Sequence, residues 1–178
     1  MDELPITGIV IPVVEADRLI GSRTTAGTLR RLPGVGVVPA HITLLAPFLP
    51  EEQIDASIWD ELARFFADVT PFTFELGEIC SFPGGVTYLA PEPSAAFRRM
   101  TLELHRVFPE FPPYGGAFDD VVPHLTVALV DGEDADSLAT SLAPGLPLSV
   151  LASEAALFVT DDDGTRVLGT LAFGTTAA

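Results

Sequence analysis

Apolar and polar residues alternate along this chain with two periods, one of strands and one of helices. Thr7 to Val14 reads TGIVIPVV, a β-branched apolar run of strand length. Glu15 to about Leu32 has apolar positions at Leu19, Ile20, Leu29 and Leu32, interrupted by Gly21 and Gly27. A broken helix, or a helix plus a loop, is expected there, ended by Gly34 and Gly36. A strand follows at about 38–46. Pro50-Glu51-Glu52 opens a helix to about Val69, with Ile54, Ile58, Leu62, Phe65 and Phe66 at helical spacing. Phe72 to Ser81 alternates as a strand, Phe82 to Gly85 is a turn, and Val86 to Ala90 is another strand. Ser94 to Phe108 places Phe97, Met100, Leu104 and Phe108 on one helical stripe. Beyond a Pro- and Gly-rich loop from Phe111 to Phe118, the pattern predicts a strand at about 121–130 and a helix at about 133–142. One long strand at about 148–160, an Asp-Asp-Asp-Gly turn and a strand at about 165–173 close the chain.

The order strand, helix, strand, helix, strand occurs twice, offset by about eighty residues, and no linker separates the copies. The economical reading is one α+β domain of two related halves, about 1–81 and 82–178.

The second strand of each half carries the same pair of polar residues. One copy reads Val38-Pro39-Ala40-His41-Ile42-Thr43-Leu44, the other Val121-Val122-Pro123-His124-Leu125-Thr126-Val127. Side chains alternate faces along a strand, so His41 and Thr43 share one face and Ile42 and Leu44 the other. His124 and Thr126 stand in the same relation to Leu125 and Val127. A polar pair on an apolar strand needs partners, because an unpaired buried group costs on the order of 1–3 kcal/mol. Two His-x-Thr hits among three histidines arise by chance in roughly 2% of chains of this composition. Two such pairs suggest a shared site.

The residue types suit acid–base work on a phosphodiester. One neutral imidazole can take a proton from water or a hydroxyl while a protonated one supplies a proton to the leaving oxygen. A Thr hydroxyl on the same face can donate to a non-bridging phosphate oxygen.

Charge narrows the partners. The net charge is −16, and all nine cations are arginine. So acidic a surface repels a long phosphate backbone, which leaves a small ligand or one RNA end held locally. Cys80 is the only cysteine, so no intramolecular disulfide and no thiolate metal cluster is expected. No apolar run reaches the roughly 18–20 residues of a membrane span. The acidic start Met1-Asp2-Glu3-Leu4 lacks the features of a secretory signal, so a cytoplasmic location is expected.

The paired motifs, their spacing and the duplicated order resemble the two-histidine phosphoesterase superfamily, and within it the bacterial 2′-5′ RNA ligase-like, or cyclic phosphodiesterase, group. The likeness runs from Thr7 to Phe173. It implies a bilobal α+β fold of pseudo-two-fold symmetry, with antiparallel sheets flanking a central cleft, helices outside and both motifs on the cleft floor. It also implies metal- and cofactor-independent opening of 2′,3′-cyclic phosphates, or the reverse ligation to a 2′-5′ bond. By motif match, His41 and His124 are the acid–base pair and Thr43 and Thr126 the phosphate binders. The scarcity of cations departs from members that act on RNA and tilts the expectation towards a small cyclic phosphate; a monomer is expected. The same cleft would also suit a catalytically weak nucleotide- or RNA-end-binding module. Duplicated strands that merely build a core are a third reading.

Further ligand contacts are expected from Tyr114, in the loop before the second motif, where an aromatic ring could stack on a base. Phe48 and Tyr88 are weaker candidates of the same kind. Arg23 and Arg166 are the cations expected nearest a phosphate. His105 reads as a solvated helix residue, and Cys80 as a small buried hydrophobe. Asp161-Asp162-Asp163-Gly164 lacks the later ligands of a calcium loop and reads as a hairpin turn.

Overall fold

The computed structural model describes residues 5–20, 40–129, 132–161 and 164–175. Eight strands and four α-helices alternate in it: β1 (Ile6–Pro12), α1 (Val14–Ile20), β2 (His41–Leu45), α2 (Ala56–Ala67), β3 (Phe72–Phe82), β4 (Val86–Glu92), α3 (Ala95–Val107), β5 (Leu125–Leu129), α4 (Gly132–Leu142), β6 (Leu148–Ala152), β7 (Glu154–Asp161) and β8 (Gly164–Ala172). The part of the expected first helix and loop beyond Ile20 lies outside the described residues. Among the described residues no helix is long and apolar enough to cross a membrane.

The strands form one sheet in the order β6-β3-β4-β5-β2-β1-β7-β8, with every neighbouring pair antiparallel. That order is symmetric about the β5–β2 seam, with β4 matching β1, β3 matching β7 and β6 matching β8. From it we infer two related halves, about 1–81 and 82–178, each of which lends a late strand to the other: β3 pairs with β4, and β7, the fourth strand of the second half, with β1.

The expected long strand at 148–160 is two strands. Leu148–Ala152 pairs with β3 at one edge, while Glu154–Asp161 lies between β1 and β8 near the other, and only Ser153 separates them. On a flat sheet, six strand spacings of about 4.8 Å would put them about 29 Å apart. One residue reaches about 3.5 Å. The sheet therefore curls into a half-barrel that brings its two ends together.

Helices cover one face. Phe97, Met100 and Leu104 on α3 join Ile42 and Leu44 of β2 and Leu125 and Val127 of β5 in one buried cluster. Burying each such side chain stabilises the fold by about 1.5–3 kcal/mol. The helix expected from Pro50 starts later, because Asp55 caps it. Its carboxylate accepts from Ser57 N at 2.8 Å and Ile58 N at 3.1 Å, and Glu51–Gln53 forms a separate 3₁₀ turn.

Candidate functional site

Both His-x-Thr pairs sit where a strand starts, and each is anchored by the helix that precedes it. In the first, Ala40 N donates to Asp17 Oδ1 of α1 at 2.9 Å and Ala40 O accepts from Val13 N at 2.6 Å. In the second, Arg98 Nη1 of α3 donates to Val121 O at 2.8 Å and pairs with Asp120 at 2.5 Å. Pro123 has no N–H to give a ladder, so β5 begins at Leu125 and not near 121 as the apolar run predicts. His124 thus stands one residue ahead of the strand.

Ile42 pairs with Leu125 across the β2–β5 seam. Carried one residue either way, that antiparallel register sets His41 beside Thr126 and Thr43 beside His124, all on the face opposite the helices. The histidines are then diagonal neighbours, about 7–8 Å apart at the backbone by ordinary ladder geometry. All four side chains are half-buried. Neither the Thr43 nor the Thr126 hydroxyl has a hydrogen-bond partner among the described residues, so both remain able to donate to a ligand.

The two imidazoles have different surroundings. His124 is ringed by Phe82, Tyr88 and Tyr114, with ring centroids at 5.1, 5.5 and 5.9 Å. Its Nδ1 lies 2.8 Å from Val122 O. A carbonyl only accepts, so Nδ1 carries the proton and Nε2 presents its lone pair. Burial pushes the His124 pKa below its ordinary value, and the Val122 carbonyl partly offsets that by favouring the charged ring. His41 lies against Phe158 on β7, with ring centroids 5.9 Å apart.

The structure brings together some of the expected ligand contacts and not others. Tyr114 and Tyr88 join His124, and Tyr88 pairs with Thr126 across β4–β5 on the same face. Phe48 does not join them: it is buried, edge-on to Phe108 at 5.0 Å and Phe111 at 5.3 Å, as a core residue. Arg166 stands opposite Val159, on the other sheet face from Phe158, and grips Glu51 with two bonds of 2.9 and 2.5 Å. That guanidinium holds the Glu51 carboxyl below its usual range. Arg23 lies outside the described residues. His105 is not merely solvated, since its Nδ1 donates to Phe111 O at 3.1 Å. Cys80 is half-buried opposite Tyr88, and burial, with the Glu78 carboxylate, pushes its thiol up.

Phe82 and Phe158 join the site without having been singled out in the sequence. Phe82 ends β3 instead of opening the turn, and stacks on Tyr88 at 4.2 Å. Phe158 can lie over β1 because its register partner is Gly8, where an added Cβ would come within 2.7 Å of the ring. Only pairing with Gly8 and Tyr88 reveals either. Among the described residues no group of three or more His, Cys, Asp or Glu side chains could hold a metal ion.

The sequence model of the 2′-5′ RNA ligase superfamily matches residues 15–164. The chain belongs to that family. A Bacillus cytotoxicus protein whose name makes it a candidate phosphoesterase is 36% identical over 132 residues, covering 71% of this chain and 73% of its own. A crystal structure from Thermus thermophilus superposes with a TM-score of 0.61 at 19% identity, covering 97% of this chain and 100% of that one. Escherichia coli LigT complexed with 3′-AMP gives 0.56 at 16% identity, over 97% and 99% of the two chains. LigT has also been solved with phosphate, NADP+ and ATP. The solved structures share the fold of this chain over nearly its whole length.

Proposed function

We propose that this member of the superfamily is a phosphoesterase that opens a 2′,3′-cyclic phosphate, on a small nucleotide or an RNA end, with His41 and His124 as its acid–base pair. The observation that carries the reading is the Ile42–Leu125 register, which aligns two His-x-Thr pairs on one face. The family match, the phosphoesterase name of the Bacillus relative and the nucleotides bound by LigT support the substrate class.

Burial favours a neutral His124 with a free Nε2 lone pair, which suits it to remove the proton from water. The water oxygen forms the new bond to phosphorus as one ring P–O bond breaks. Protonated His41 supplies a proton to the departing ribose oxygen. Thr43 and Thr126 donate to the non-bridging oxygens, where charge builds up in the transition state. Ligation to a 2′-5′ bond follows the same path with an RNA 5′-hydroxyl in place of water: its oxygen bonds to phosphorus as the P–O3′ bond breaks, His124 takes the hydroxyl proton and His41 protonates the departing 3′ oxygen.

Purified protein incubated with 2′,3′-cyclic nucleotides in EDTA is expected to yield a single nucleoside monophosphate, read by chromatography. Thr43→Ala and Thr126→Ala are expected to lower kcat by about 10²-fold each, the scale of one lost oxyanion donor. Tight binding without conversion would replace this reading with a nucleotide-binding module, and neither binding nor conversion would remove both.

A further inference from the structure

The carbonyl that holds His124 is itself held by a second side chain. Val122 O accepts from His124 Nδ1 at 2.8 Å and from the Tyr114 hydroxyl at 3.3 Å. A carbonyl oxygen has two lone pairs and can serve both donors. The peptide plane bearing this oxygen joins Val122 to Pro123, which has no N–H. No ladder bond from Pro123 can fix that plane, so its orientation depends on whatever grips the oxygen.

Tyr114 reaches that oxygen from an unusual backbone. With φ 52° and ψ 32° it is the one non-glycine residue at positive φ among the described residues, followed by Gly115 at 63° and Gly116 at 75°. A bulky residue pays on the order of 1 kcal/mol or more to sit there, which persists only where the surroundings enforce it. They do so from three sides. Pro112 O accepts from Gly115 N at 3.0 Å, Tyr114 O accepts from Ala117 N at 3.2 Å, and His105 Nδ1 holds Phe111 O at 3.1 Å. The loop that follows β2 also abuts this turn, since Pro47 Cδ lies 3.6 Å from where a Gly115 Cβ would stand. The left-handed turn therefore aims one hydroxyl at one carbonyl, with the ring tilted 31° to the His124 imidazole.

We infer that Tyr114 is a positioning residue: through the shared Val122 carbonyl, its hydroxyl holds His124 in the Nδ1–H tautomer with Nε2 directed at the His–Thr face. The role of His124 in turnover rests on the function proposed above, but the tautomer does not. Tyr88 is the other ionisable ring against His124, with Cys80 opposite it on β3 and Glu78 beside Cys80. These groups stay in place when Tyr114 is changed.

The test is Tyr114→Phe, which removes one oxygen and keeps the ring. Nitrogen-15 NMR of histidine-labelled full-length protein reports the tautomer of His124, with His105 as an internal control because Phe111 O holds it independently. Wild type is expected to be almost wholly Nδ1–H at His124, and Tyr114→Phe a mixture, with His105 unchanged. In turnover of a 2′,3′-cyclic nucleotide, the variant should lose about tenfold in kcat with KM within twofold, a fraction of the 10²–10⁴ that an acid–base group supplies. A wild-type tautomer in Tyr114→Phe overturns the inference, whatever happens to the rate. A shifted tautomer in a protein without turnover sustains it and refutes only the proposed activity.

Discussion

His41 and His124 share a motif but not an environment, and the difference is measurable. Aromatic rings desolvate His124, so its charged form is disfavoured and its pKa lies below the ordinary 6.5. An unfolded chain would therefore take up this proton at higher pH than the folded one. Folding stability from this group is complete above about pH 6.5 and declines as the pH falls through the folded midpoint. His124→Gln should flatten that part of a urea-midpoint-versus-pH curve. An unchanged slope would show that the ring is not desolvated. On the other side of the seam, Gly8 lets Phe158 lie close to His41. Gly8→Ala would set a Cβ 2.7 Å from Phe158 Cε1 and 3.0 Å from Ala46 Cβ, so the ring must move. We expect a loss of about 1–3 kcal/mol in urea denaturation, as for other overpacked sites. A variant as stable as wild type would mean that Phe158 has room to turn.

Elements were legible wherever periodicity was strong and local chemistry agreed with it. The stripe Phe97, Met100, Leu104 specified α3, and the strand turns marked by Gly84 and Gly85 specified the β3–β4 hairpin. Boundaries failed where a single side chain or a missing donor decides them. Asp55 starts α2 by accepting the Ser57 and Ile58 N–H groups, and Pro123 delays β5 to Leu125. Ser153 divides the stretch at 148–160 between opposite ends of the sheet, because strand-forming residues stand on both sides of it and local pattern does not say which neighbour each piece pairs with. Arg166 and Phe48 looked available in sequence, yet Glu51 and the Phe108–Phe111 pair occupy them. Neither partner is close in the chain to suggest this by alternation. The Asp55 cap gives a prediction at this scale. Asp55→Ala should lower the thermal midpoint, and because the hydrogen bonds from Ser57 and Ile58 hold this carboxyl below its usual range, the loss should shrink as the pH falls through that range. An undiminished loss at low pH would assign the effect to helix propensity instead.

Across the whole molecule, the curled sheet places two copies of one motif side by side at the β2–β5 seam, while the charge of −16 governs what can approach. A ligand held by two hydroxyls and two imidazoles displaces few counterions, whereas a protein making six to ten phosphate contacts loses about 10³–10⁵ in affinity between 50 and 200 mM salt. KM for a 2′,3′-cyclic mononucleotide should therefore change by less than about threefold over that range, and a longer RNA should bind no tighter than its terminal nucleotide. A steep salt dependence would reveal a phosphate-tracking surface. In the proposed reaction one imidazole from each half works on a single phosphate. The most direct test is the pH profile of kcat/KM for 2′,3′-cyclic nucleotide hydrolysis in wild type, His41→Ala and His124→Ala, with circular dichroism confirming each fold. Wild type should give a bell, with its acidic limb below pH 6.5, and each folded variant should lose at least about 10²-fold together with one limb. Wild-type turnover and an intact bell in either variant would contradict the proposed reaction.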